Sequence, residues 1–152
     1  MNFATMGVDP GVNGGLAVLR GDGTVAHLRA FQPSMTQHEL IDTVRGGLIK
    51  LVAEQGRSVF MEKVGSMPTD SRQGGNTFGR VDGLLRGGVL MAGFTPRDVY
   101  PQAWQAAMEC MTGGNKNISK RRAIELFPRE KITHNVADAL LIAEYGRRRL
   151  AL

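Results

Sequence analysis

The chain has 152 residues, 42% of them hydrophobic, and 19 basic against 14 acidic side chains, a net charge of +5. That is enough to bury a core, so disordered and collagen-like classes are excluded and one domain over 1–152 is expected. No apolar run approaches a membrane span and the N-terminus lacks a basic region followed by a long apolar core, which points to a cytoplasmic protein without membrane contact.

Residues 3–9, 15–20 and 24–31 read as strands, the last two joined by the hairpin turn Arg20-Gly21-Asp22-Gly23-Thr24. Helical spacing follows over 36–53, with Leu40, Val44, Leu48 and Leu51 on one face. Ser34 with Gln37, or Thr36 with Glu39, supplies a capping box. A short strand at 59–61 ends on Glu62, a polar breaker-rich loop fills 65–76, and a helix over 77–93 carries Gly79, Gly83, Gly87 and Gly88. A strand at 98–100, a helix at 101–108 containing the only tryptophan, Trp104, a glycine-rich loop at 113–117, and helices at 119–127 and 135–149 complete the chain. This order implies an α/β fold, a mixed five-stranded sheet flanked by helices.

Ligands in such sheets gather at the carboxyl ends of strands. Asp9 and Glu62 both sit there, and they stand side by side if the first and fourth strands are neighbours. Asp9-Pro10-Gly11 alone also reads as a plain turn. His134 and Asp138 are four apart, hence on one helical face, and apolar Ala137, Leu140, Leu141 and Ile142 make an unpaired Asp138 costly. The plainer alternative is that Asp138 favours the helix N-terminus while His134 is a solvated cap. Carboxylates with one imidazole suit magnesium or manganese, ions that activate water and offset charge on a phosphodiester.

From Lys116 onward, nine Lys/Arg stand against four acids, so the whole excess of charge lies there. Such asymmetry suggests a polyanionic partner. Lys116, Lys120, Arg121 and Arg122 flank a glycine-rich loop and a helix start, where side chains and backbone N–H groups meet phosphates together. The single cysteine, Cys110, excludes an internal disulfide or a Cys-based zinc site, and reads as a small buried hydrophobe.

Gly7-Val8-Asp9-Pro10-Gly11, Phe60-Met61-Glu62-Lys63-Val64 and Ala137-Asp138-Ala139-Leu140-Leu141-Ile142-Ala143 resemble the three acidic motifs of the RuvC Holliday-junction resolvases. Gly65-Ser66-Met67-Pro68, Phe78-Gly79-Arg80, Val99-Tyr100-Pro101-Gln102-Ala103-Trp104 and Lys120-Arg121-Arg122-Ala123-Ile124-Glu125-Leu126-Phe127-Pro128 resemble the phage-type branch. The resemblance implies an RNase H-like fold, a homodimer, and symmetric nicking of four-way DNA junctions with Mg2+ or Mn2+, two ions per active site. Asp9, Glu62 and Asp138 would be the metal-binding carboxylates. His134 is the candidate fourth ligand and catalytic group, with Asn135 as the alternative. Arg72 and Arg80 join the expected DNA contacts, and Lys120 is expected near the scissile phosphate. Where some family members stack an aromatic on a junction base, this chain has Gly65 and Met67.

Three other readings compete. The spacing from Asp9 through Gly11 to Gly15 also occurs in sugar kinases and actin-like ATPases, which need two such domains. A related nuclease acting on other branched DNA or on RNA precursors has the same fold and similar acids. A non-catalytic junction-binding protein explains the charge but not three acids at element ends. A homodimer is expected on the helix over 77–91, where Gly79, Gly83 and Gly87 form a smooth strip beside Val81, Leu84, Leu85, Leu90 and Met91. Packing of that strip on its own sheet is the alternative.

Overall fold

The computed structural model describes residues 2–64 and 71–152. Gly65 and Met67, with the first half of the expected 65–76 loop, lie outside the described residues. Among those described, the elements run β1 (Thr5–Asp9), β2 (Gly15–Leu19), β3 (Val25–Ala30), α1 (Gln37–Val52), β4 (Ser58–Glu62), α2 (Arg72–Met91), β5 (Arg97–Val99), α3 (Pro101–Ala107), α4 (Lys116–Leu126) and α5 (His134–Leu150).

The strands form one mixed sheet in the order β3-β2-β1-β4-β5. β1 pairs antiparallel with β2 and parallel with β4, so the first and fourth strands are neighbours, which meets the condition for Asp9 and Glu62 to stand side by side. Strand alternation then divides the core in two. Met6, Val8, Leu16, Val18, Val59 and Met61 pack on one side with α1 and α2. Ala17, Leu19 and Phe60 pack on the other side with α3, α4 and α5.

Two small-residue contacts seat α5 on the sheet. A β-carbon on Gly7 would overlap the Ala139 carbonyl oxygen and the Ala143 amide nitrogen, so β1 and α5 meet backbone to backbone. Two residues upstream on the same face, the Thr5 hydroxyl donates to the Ala143 carbonyl at 2.8 Å. The Phe60 ring occupies the space a side chain at position 146 would need.

Caps explain where the helices differ from expectation. Thr36 and Glu39 form the capping box of α1: Glu39 N–H donates to Thr36 Oγ1 at 3.2 Å, and Thr36 N–H to Glu39 Oε2 at 2.7 Å. α2 begins at Arg72 rather than 77, because the Ser71 hydroxyl accepts from Gly74 N–H at 2.9 Å. α4 begins at Lys116 rather than 119, because Asn115 Oδ1 accepts from Asn117 N–H at 3.1 Å. Lys116 and Asn117 are therefore helical first-turn residues, not loop.

The glycine strip of α2 faces away from the sheet. Val81, Leu85 and Val89 fill the core, whereas a β-carbon at Gly79, Gly83 or Gly87 would meet nothing within 4 Å. Packing of the strip on its own sheet is thereby overturned. Val81 and Leu85, expected beside the strip, are buried beneath it instead. Leu90 and Met91 are exposed, Met91 to 89%.

Candidate active site

β1 and β4 are in parallel register through Val8 and Met61. Asp9 and Glu62 stand one step further on, at the carboxyl ends of adjacent strands, on the face that carries α5. The seating of Ala139 on Gly7 brings the preceding residue, Asp138, towards the same strand ends.

The three acids feel one another. Burial and the Asp138 charge push the Asp9 carboxyl up to about 6, against the Gly11 N–H (3.4 Å) and the Lys116 charge. Burial and Asp9 push Glu62 up to about 7, with Asp138 adding to the rise; a hydrogen bond from Trp104 and the charge of Lys116 oppose it. Burial raises Asp138, which the Ser119 hydroxyl and the charges of Lys116 and His134 partly offset. Asp138 Oδ1 is buried without a hydrogen-bond partner. A buried carboxylate oxygen left unpaired is costly, so the cluster has more negative charge than the protein around it satisfies.

A cleft of about 520 Å3 opens on Asp9, walled by the 11–14 turn, by Lys116, and by Ser71, Gln73, Thr77 and Phe78 of the α2 start. Gly14 is required in that turn, since a β-carbon there would overlap the Asp9 carbonyl. Helices α4 and α5 begin at Lys116 and His134, and their N-termini add favourable fields for anions.

His134 is exposed on the first turn of α5, and its Nε2 lies 2.8 Å from Asn117 Oδ1 on α4. Asn135 points elsewhere, its side-chain amide donating to the Phe31 carbonyl at 3.4 Å. Of the basic residues, Lys116 bears on all three carboxylates. Lys120, expected to approach the reacting phosphate, is half-buried one turn later and has no such effect on them. Arg122 is engaged within the fold: it donates to the Met108 carbonyl at 2.8 Å and pairs with Glu109 and Glu125. Arg121 is exposed on α4, and Arg72 and Arg80 flank a shallow depression on α2. Cys110 is buried and its thiol is pushed up to about 11 by that burial, which suits a packing residue.

Three residues of the site were not singled out from sequence: Trp104, Asn117 and Ser119. A buried indole must find an acceptor for its N–H, so the lone Trp104 carried a signal. The capping role of Asn115 would have put Asn117 on the helix expected to start at Ser119.

The same fold occurs in solved structures. Thermus thermophilus RuvC in complex with a Holliday junction substrate superposes with a TM-score of 0.68 at 16% identity, covering 97% of this chain and 96% of that one. The chain has the fold of RuvC. A second Thermus thermophilus RuvC structure gives 0.66 at 17% identity, covering 96% of each chain. The yeast mitochondrial Holliday junction resolvase gives 0.51 at 11%, covering 97% of this chain and 80% of that one. No protein-family model and no curated sequence matches the chain. The RuvC-like fold thus persists over nearly the whole chain at identities too low to carry residue roles.

Proposed function

We propose that this protein is a metal-dependent endonuclease that resolves four-way DNA junctions. The carrying observation is the under-satisfied cluster of Asp9, Glu62 and Asp138 at converging element ends, on a fold shared with a RuvC bound to a junction. The donor set fits a hard divalent cation: all-oxygen, carboxylate-rich, with Asp138 Oδ1 unpaired. Among the described residues, no three His, Cys, Asp or Glu side chains are gathered around one point. On this reading Mg2+ or Mn2+, two ions per site, would each be held by one or two of these carboxylates with water completing the shell. Such ions, when bound, activate water and neutralise charge developing on a phosphodiester.

The chain's own residues do the rest. Lys116 and the N-termini of α4 and α5 attract the phosphate towards the acids. His134, exposed on α5 and hydrogen-bonded to Asn117, is a candidate fourth ligand or proton carrier. Arg72, Arg80, Lys120 and Arg121 supply backbone contacts along the flanks. A two-fold dimer would duplicate the site for paired cuts. The outward-facing glycine strip and the apolar groove beside it, lined by Ile41, Leu48, Ile49, Leu84 and Met91, support a second copy docking there.

Nicking of labelled four-way, forked and duplex DNA, and of structured RNA, with Mg2+ or Mn2+ tests the reading. Asp9→Asn, Glu62→Gln and Asp138→Asn should each lower nicking by orders of magnitude and leave junction binding intact. Retained cleavage in any one removes that residue from the site, and preferred cleavage of RNA displaces the junction reading.

A further inference from the structure

Trp104 is fully buried in the core between the sheet and α5. Its indole has one polar atom, a donor that needs an acceptor inside the protein. A core tryptophan could satisfy that need with any backbone carbonyl. This one donates from Nε1 to Glu62 Oε2 at 2.6 Å, a short charge-assisted bond.

The donor is rigidly held. Trp104 lies on α3, which starts at Pro101 with its φ preset for the helix. Its backbone N–H donates to the Tyr100 carbonyl and its carbonyl accepts from Met108 N–H at 2.9 Å. Glu62, in contrast, ends its strand, and its carboxylate accepts no other hydrogen bond among the described residues. An immobile donor on one oxygen selects one side-chain geometry and leaves Oε1 for a ligand.

We infer that Trp104 is a positioning residue that orients Glu62 so that one carboxylate oxygen is presented to the cation. The inference rests on the reading of the acids as metal ligands. Fixing a ligand beforehand removes the ordering cost from binding, and losing such an outer partner typically weakens metal affinity by about 10–100-fold.

Mn2+ binding to the DNA-free protein, followed by calorimetry, tests it. Trp104→Phe keeps an aromatic ring in the core and deletes the N–H. The Mn2+ dissociation constant should rise by about tenfold or more. Combining Trp104→Phe with Glu62→Gln should then give the affinity of Glu62→Gln alone, within about twofold, because the two act through one ligand. Wild-type affinity in Trp104→Phe, or a penalty that adds in full to that of Glu62→Gln, overturns the orienting role. If the wild type binds no Mn2+, or binds it equally well in Asp9→Asn and Glu62→Gln, the metal reading itself fails and takes this inference with it. Should Trp104→Phe not fold, the wild type suffices, because Trp104 is the only tryptophan. Its emission should change on Mg2+ titration with the half-saturation that calorimetry gives for Mg2+, and the change should vanish in Glu62→Gln. Flat emission through saturation overturns the proposal.

Discussion

Gly7 of β1 lies against the backbone of Ala139 on α5, with no room for a β-carbon between them. That contact sets the distance of Asp138 from Asp9. Gly7→Ala should force α5 off the sheet, costing about 2 kcal/mol or more as overpacking does, read as a lower urea midpoint. Nicking should fall further than stability accounts for at temperatures where the variant remains folded. An unchanged midpoint and rate would mean that α5 adjusts without disturbing the acids.

The acids also link stability to pH. Burial pushes Asp9 up to about 6 and Glu62 up to about 7, from ordinary values of 3.8 and 4.5 in the unfolded chain. The folded state therefore binds more protons than the unfolded chain between those limits. Their favourable contribution is present below about pH 4 and lost as pH rises through the folded values. In EDTA the melting temperature should fall from about pH 5 to pH 8, and Asp9→Asn should flatten the decline. Mg2+ or Mn2+ should restore more stability at the alkaline end. Glu144 acts in the opposite sense: burial raises it, but Arg147 and Arg148 outweigh burial and hold it low. Its contribution is present above the usual carboxylate range and lost on acidification, so the optimum lies between the two effects.

Lys116 and Arg122 should separate cleanly. Lys116→Met removes the cation that faces the cluster, so junction binding should weaken and its log–log salt slope flatten by about one unit. Nicking should fall with it. Arg122→Met instead breaks bonds to Met108, Glu109 and Glu125. It should cost about 1 kcal/mol of stability and leave the salt slope alone. A flattened slope in Arg122→Met would return that residue to the DNA surface.

If His134 takes part in catalysis, its partner should matter too. His134→Ala should reduce nicking strongly, and Asn117→Ala by about tenfold, as loss of a ligand's outer partner does. His134→Asp should retain part of the activity. Normal rates in both alanine variants would make His134 a solvated helix cap.

The glycines of α2 offer a test of assembly that spares the fold. Gly83 and Gly87 have open space around them, and replacing glycine within a helix by leucine gains up to about 1 kcal/mol of helix propensity. Gly83→Leu or Gly87→Leu should therefore fold at least as well as wild type, sediment as a monomer, and lose paired nicking. A wild-type monomer at micromolar concentration, free and junction-bound, refutes the dimer.

Much of this molecule is legible along the chain, because caps and periodicity are matters of near neighbours. The alternation in Met6-Gly7-Val8-Asp9 and Val59-Phe60-Met61-Glu62 already assigns both acids to the same relative face, and of the two capping boxes the sequence offers, Thr36 with Glu39 starts α1. Glycine positions are less transparent. The spacing of α2 reveals an apolar edge and a smooth edge, but not which one meets the sheet. Burial of Val81, Leu85 and Val89 decided that, since it removes more apolar surface from water than the glycines could. The bonds that complete the site were decided by tertiary structure alone. Trp104 reaches Glu62, Asn117 reaches His134, and Arg122 turns inward to Met108. Each pair is distant in sequence, and a buried donor takes whichever acceptor the packed elements bring within about 3 Å, which no local pattern encodes.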